Sequence, residues 1–320
     1  MSYRCAILDD YQNVALTLAD WSRLKDRVAV DVFTAPFADQ ASAIAALQGF
    51  DIVCMMRERT PFPRSTLEAL PGLKLLLTSG MRNAAIDLEA ATARGITVCG
   101  TGAAGDSTAE LTIALMLELA RRVGTEHARM QAGEAWQSTL GIALAGKTLG
   151  LLGLGKLGGR VAAIAGAIGM PLIAWSQNLT PERCAEVGAA PVSKQELFRR
   201  ADVVSIHLQL SARTRGLVGA AELALMKPTA FLVNTSRGPI VDEAALLAAL
   251  RERRIAGAGL DVFDVEPLPR DHPLRGLDNA VITPHLGYVT QENYRVFYGQ
   301  MVEDIEAWLA GSPLRVLTAK

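Results

Sequence analysis

The chain has 320 residues, half of them apolar and a fifth charged, with a formal net charge of -1. That length exceeds one small core and suits two domains of ordinary size. A charge so near zero gives no electrostatic reason to expect nucleic acid or an anionic membrane as a partner.

Strand candidates come first, at residues 3–8, 51–56, 73–77 and 96–99, rich in Val, Ile, Leu and Cys. Amphipathic segments at 41–48 and 67–70 lie between them, an alternation expected of parallel strands with crossover helices. No basic flank precedes a long apolar stretch at the start, so no signal peptide is expected. A long helix should open at Ser107-Thr108-Ala109-Glu110, which has capping-box spacing, and run through Leu115 and Glu118 to Gly124. It is a candidate bridge between domains.

The second alternating unit is more regular. Strands are expected at 148–152, 172–175, 203–207, 231–234, 257–261 and 280–283, with a helix at 157–168. Ser193-x-x-Glu196 opens one further helix and Asp242 caps another. No charge falls between Val161 and Pro181, but the apolar part ends at Trp175, after about fifteen residues. That is short of the roughly eighteen needed for a membrane span. Beyond Tyr288 an amphipathic helix carries Val296, Met301, Ile305 and Trp308 and should return to the first domain.

Cys5, Cys54, Cys99 and Cys184 show no Cys-x-x-Cys spacing and no adjacent histidines. They read as buried free thiols in a reducing compartment, the cytoplasm, and no metal site is expected. His127 and His272 lack any motif context and are expected on the surface.

The loop Gly153-Leu154-Gly155-Lys156-Leu157-Gly158 follows a strand and opens a helix. Gly-x-Gly-x-x-Gly alone is a weak signal, and a bare βα turn is its bland reading; strand before, helix after and a second strand on schedule favour a dinucleotide. Gly153 permits the turn, Gly155 lets backbone approach pyrophosphate, and Gly158 lets helix and strand pack. The helix N-terminus favours anionic oxygens. At the end of the second strand, where NAD folds place a carboxylate on the ribose hydroxyls, this chain has Ser176, Gln177 and Asn178. Nothing there repels a 2′-phosphate, yet no cation follows before Arg183. NAD and NADP both remain open, with a lean to NADP or dual use.

Three later segments carry a resemblance: Asn234-Thr235-Ser236-Arg237-Gly238-Pro239-Ile240-Val241-Asp242, residues 257–269 with Asp261 and Glu266, and Thr283-Pro284-His285-Leu286-Gly287. In order and spacing, and with the glycine loop, the chain resembles the D-isomer-specific 2-hydroxyacid dehydrogenases over essentially its whole length. The resemblance implies a Rossmann-type doubly wound parallel sheet plus a flavodoxin-like α/β substrate domain, with a cleft between them. Residues 104–287 would be the dinucleotide-binding domain, and 1–103 with 288–320 the substrate domain.

It further implies that Arg237 pairs with the substrate carboxylate and polarises its carbonyl. His285 would be the acid/base, and Glu266 would hold it and favour its protonated form. Asp261 would hold the nicotinamide carboxamide. His207 and Thr235 would line the cofactor site, and Thr108 would reach the nicotinamide side. Ser79, Gly80 and Met81 resemble the loop whose N–H groups bind the substrate acid; Met81 departs from the small or β-branched residue usual there. Arg57 matches an arginine facing the cleft.

A homodimer is expected, with 125–146 and its Trp136 as a candidate arm. At this length the regulatory domain of longer 3-phosphoglycerate dehydrogenases is not expected, while the short form of that enzyme stays open. Glu266 disfavours formate dehydrogenase activity, since those relatives carry Gln there. The expected activity is hydride transfer between a nicotinamide dinucleotide and a small 2-keto or D-2-hydroxy acid (glyoxylate, hydroxypyruvate or a phosphoglycerate-like acid). The alternative is a dinucleotide-sensing, corepressor-like binding protein of the same fold.

Overall fold

The computed structural model describes residues 2–105, 107–134 and 136–319; Met1, Asp106, Ala135 and Lys320, which fall inside the expected domain ranges, lie outside the described residues. The chain divides into two compact units, Met1–Gly105 with Thr290–Lys320, and Asp106–Val289.

The first unit is built on five parallel strands, β1 (Tyr3–Ile7), β2 (Val28–Val32), β3 (Ile52–Met55), β4 (Leu75–Thr78) and β5 (Thr97–Gly100). Their order is β2-β1-β3-β4-β5. This is the flavodoxin-like order, which reverses direction beside β1. Every residue of β3 and β4 is buried, which is why these two read as unbroken apolar runs. β2 escaped the sequence reading for the converse reason. It is an edge strand whose burial alternates, and its Asp31 carboxylate accepts from Arg4 Nη2 at 2.8 Å.

The helix Gln291–Leu309 belongs to this unit, as its amphipathic pattern predicts; Tyr294, Phe297, Tyr298, Met301 and Ile305 are buried. After it, Gly100 N donates to Arg315 O and Leu317 N to Val98 O, at 3.0 and 2.8 Å. The tail thus covers the otherwise open edge of β5.

The second unit carries seven parallel strands: β6 (Leu149–Leu152), β7 (Leu172–Trp175), β8 (Ala189–Pro191), β9 (Val203–Ile206), β10 (Phe231–Asn234), β11 (Gly257–Leu260) and β12 (Ala280–Ile282). The order β8-β7-β6-β9-β10-β11-β12 is that of a doubly wound dinucleotide fold with one strand added. Its direction reverses between β6 and β9, the place where such sheets bind ligands. β8, a three-residue edge strand ending in Pro191, gave no apolar run to read.

The long helix opens at Ser107, as expected, but ends earlier than expected. The Ser107 hydroxyl donates to Gly287 O at 2.7 Å. The helix stops at Arg121, because Arg122 turns left-handed with φ 51°. Gly124 then lies inside a second helix, Val123–Gln131, its N–H held by the Glu118 carboxylate at 2.9 and 3.1 Å. The apolar stretch after Val161 divides into the helix Lys156–Ile168 and β7, with Gly169 closing the helix at φ 91°. Among the described residues no helix is long and apolar enough to cross a membrane.

All four cysteines are buried free thiols; Cys5 Sγ and Cys54 Sγ stand 3.7 Å apart.

Candidate active site

The glycine loop leaves β6 with a turn that only glycine takes comfortably. Gly153 has φ 104°, its N–H donates to Trp175 O at 2.9 Å, and a Cβ there would stand 2.9 Å from the His207 carbonyl. A Cβ on Gly158 would fall 2.3 Å from Gly153 O. Gly155 is different: nothing lies within 4 Å of its Cβ position, and it caps the helix Lys156–Ile168 with no side chain. Two glycines are needed to fold the loop and one to leave its face bare. A pyrophosphate fits that arrangement.

His207, just past β9, donates its backbone N–H to Leu152 O at 2.9 Å, and its ring Nε2 lies 2.9 Å from Ser205 Oγ. Burial pulls the imidazole down to about 4, so it is neutral near pH 7. Ser176 is half-buried after β7, with Gln177 and Asn178 exposed beside it. Arg183, too far along the chain to read as part of this corner, is brought back onto the glycine loop, where Nε donates to Leu154 O at 2.9 Å.

Past β10 the chain enters a loop held by Asn234. Its Oδ1 accepts from Ser236 N and its Nδ2 donates to Arg237 O, both at 3.0 Å. Thr235 Oγ1 pairs with Thr112 Oγ1 at 2.8 Å. Arg237 itself donates from Nη1 to Ser236 O at 2.8 Å. Gly238 then passes so near Phe263 that a Cβ would stand 2.1 Å from its carbonyl carbon. This close approach fastens the Arg237 loop to the segment that carries Glu266.

Glu266 uses both oxygens. Oε1 accepts from Phe263 N at 2.9 Å, and Oε2 lies 2.6 Å from His285 Nδ1. The carboxylate thereby fixes the ring and keeps a proton on Nδ1, so that proton exchange falls to Nε2. His285 takes φ 54°, a left-handed conformation rare for a residue with a side chain. Its surroundings over-determine that geometry. Buried Asp261 accepts from Thr283 Oγ1 and Leu286 N at 2.6 Å and from Gly287 N at 2.9 Å. The Ser107 and Thr108 hydroxyls donate to Gly287 O at 2.7 and 3.0 Å. Burial raises the Asp261 carboxyl above its ordinary value of 3.8, against the pull of these donors. Asp261 and Thr108 therefore brace the His285 turn, a part the sequence reading did not give them. Gly238, Asn234 and Thr112 were also missed; the first two stood inside the Arg237 motif but without an assigned part.

In the first unit, Arg57 and the 79–81 turn come together. Arg57, at φ 52°, donates from its backbone N–H to Ser79 Oγ at 2.9 Å and from Nη1 to Ser79 O at 3.2 Å. A Cβ on Gly80 would meet that Nη1 at 2.1 Å. Asn83 Nδ2 donates to Arg57 O at 2.7 Å and to Thr78 Oγ1 at 2.8 Å. Ser79 is fully buried, while Met81 is 47% exposed. His272 departs from the surface position expected of it: it is half-buried, with Nε2 3.0 Å from Glu243 Oε1.

The profile of the D-isomer specific 2-hydroxyacid dehydrogenase NAD binding domain matches residues 113–287. The chain belongs to the D-isomer-specific 2-hydroxyacid dehydrogenase family. It is 43% identical over 254 residues to a glyoxylate reductase of Aeropyrum pernix, covering 77% of this chain and 76% of that protein. To a D-3-phosphoglycerate dehydrogenase of Methanocaldococcus jannaschii it is 40% identical, covering 81% of this chain but 50% of that longer protein. A solved phosphoglycerate oxidoreductase from Vibrio cholerae superposes with a TM-score of 0.92 at 35% identity, over 97% of this chain and all of the other. As a family member the chain is an oxidoreductase acting on CH–OH groups with a nicotinamide dinucleotide, and its substrate is a small 2-keto or 2-hydroxy acid.

Proposed function

We propose that this dehydrogenase reduces small 2-keto acids, glyoxylate and hydroxypyruvate foremost, to the D-2-hydroxy acids, drawing on NADPH or on both nicotinamide dinucleotides. The observation that carries this reading is the 2.6 Å contact of Glu266 with His285 Nδ1, backed by Phe263 N on the other carboxylate oxygen. A histidine fixed in this way delivers a proton from Nε2 to a developing alkoxide and recovers it in the reverse direction. Arg237 supplies a planar fork for the substrate carboxylate and draws charge from the carbonyl. Asp261 and Thr108 hold the backbone from which His285 projects. The bound dinucleotide supplies the hydride.

In the first unit, backbone N–H groups of Ser79, Gly80 and Met81 would take the substrate acid, with Arg57 as the neighbouring cation. The unit thus serves as the substrate-binding part, and the Asp106–Val289 unit as the dinucleotide-binding part. Glyoxylate stands ahead of phosphoglycerate because the glyoxylate reductase is the relative of similar length, whereas the chain spans half of the phosphoglycerate dehydrogenase. The lean to NADPH rests on Ser176 and Gln177, which put no carboxylate against a 2′-phosphate. The four buried thiols favour a reducing, cytoplasmic setting. A homodimer through residues 125–146 would cover the exposed Trp136 (75%) and Leu140 (99%).

The deciding experiment measures oxidation of NADH and NADPH against glyoxylate, hydroxypyruvate, pyruvate and phosphohydroxypyruvate, with His285→Ala and Arg237→Ala alongside. Turnover confined to phosphohydroxypyruvate would overturn the substrate order, and a large preference for NADH would overturn the cofactor lean. Normal turnover in both variants would remove the site assignment.

A further inference from the structure

Arg183 lies on the short helix Pro181–Ala185, after the corner at Ser176. Its guanidinium lies across the glycine loop. Nε donates to Leu154 O at 2.9 Å, Nη2 donates to Gly155 O at 3.2 Å, and Nη1 pairs with Glu186. Room for it is provided by a fourth glycine. A Cβ on Gly159 would stand 2.5 Å from Nη2.

The two carbonyls it engages are not arbitrary. The Leu154 carbonyl and the Gly155 N–H belong to one planar peptide unit, and the Gly155 carbonyl and the Lys156 N–H belong to the next. Gly155 and Lys156 are the bare bend and the first residue of the helix. We infer that Arg183 is a positioning residue of the dinucleotide loop: its fork grips the carbonyl ends of the two peptide dipoles whose N–H ends would serve a bound pyrophosphate. A charged donor on a carbonyl polarises the same unit's N–H and strengthens its donation. Two contacts from one planar group also lock the orientation of both units before ligand arrives, which lowers the ordering cost of binding. A lysine, a point charge without a fork, would reproduce the charge but not the two-point hold.

The inference rests on this loop being the dinucleotide site, and the test separates the two. Binding of NADH, NADPH and ADP-ribose is titrated by ligand fluorescence and displacement for wild type, Arg183→Ala, Arg183→Lys and Gly159→Ala, with thermal unfolding of each. Gly159→Ala directs a methyl at Nη2, so it displaces the guanidinium while improving helix propensity, and it keeps the test open if Arg183→Ala folds poorly. Arg183→Ala should weaken all three ligands by about tenfold, with kcat at saturating dinucleotide near wild type. Gly159→Ala should weaken all three in the same direction without loss of thermal stability, and Arg183→Lys should lie between. Unchanged affinity in Arg183→Ala, or in Gly159→Ala where the former does not fold, overturns the inference. So does a loss confined to NADPH, which would make Arg183 a direct 2′-phosphate ligand. Failure of the wild type to bind any of the three would instead remove the dinucleotide reading itself.

Discussion

Gly238 and Phe263 approach so closely that a Cβ on the glycine would stand 2.1 Å from the Phe263 carbonyl carbon and 2.3 Å from its oxygen. The contact is backbone against backbone, so no side chain can yield to relieve it. It joins the loop that carries Arg237 to the segment whose Phe263 N–H holds Glu266. Gly238→Ala should therefore separate the two loops, costing about 1–3 kcal/mol of stability and lowering kcat/KM by about a hundredfold. Thermal unfolding and steady-state kinetics on the same preparation check this. An active, undisturbed Gly238→Ala protein would show that the two loops move independently.

Glu266 holds His285 through a carboxylate oxygen 2.6 Å from Nδ1. Glu266→Gln keeps the volume and an oxygen for Phe263 N but removes the negative charge beside Nδ1. The expected result is a fall in kcat/KM on the order of a hundredfold with dinucleotide affinity unaltered. Stopped-flow measurement of the hydride step, beside NADH or NADPH titration, distinguishes this from a general loosening of the site.

Asp304, on the helix Gln291–Leu309, is fully buried against Arg315, whose Nε lies 3.0 Å from Oδ1. Burial pushes its carboxyl from 3.8 up to about 6 despite that partner. Between these two values the folded state holds a proton that the unfolded chain has released, so stability falls as pH rises from about 4 to 6 and levels off above. Asp304→Asn should flatten that slope, which is worth on the order of 2–3 kcal/mol. Denaturant unfolding at pH 4.5 and pH 7 measures it; equal slopes in wild type and variant would count against the assignment.

Glu126 organises the proposed dimer arm. Its carboxylate accepts from Ser138 N and Oγ and from Thr139 N and Oγ1, which holds it down at about 2. Glu126→Ala should release the segment that presents Trp136 and Leu140, and Trp136→Ser should remove its apolar contact. Both variants should shift sedimentation toward monomer, at least tenfold in dissociation constant. Unaltered sedimentation in the two together would place the dimer contact elsewhere.

The parts legible in the sequence were those encoded locally. Buried parallel strands such as β3, β4 and β10 are continuous apolar runs, so their number and order along the chain could be read without a fold. Edge strands β2 and β8 could not, because one is only half covered and the other ends in proline. The break at Arg122 was hidden too, since a left-handed arginine leaves no compositional mark. The glycine loop and the Arg237, Glu266 and His285 motifs stood out because their residue types and spacing are unusual together.

What those residues hold onto was decided by the tertiary structure. The carboxylate of Asp261 closes on N–H groups 25 and 26 residues away, and Gly238 faces the backbone of Phe263, past the end of β11. Arg183 reaches the loop from 28 and 29 residues downstream. The sequence alone pointed to a nicotinamide dinucleotide and to the residues proposed to carry the chemistry. Only the fold decided how they are braced, because a hydrogen bond or a close approach between distant segments depends on sheet order and strand register, which no local pattern encodes.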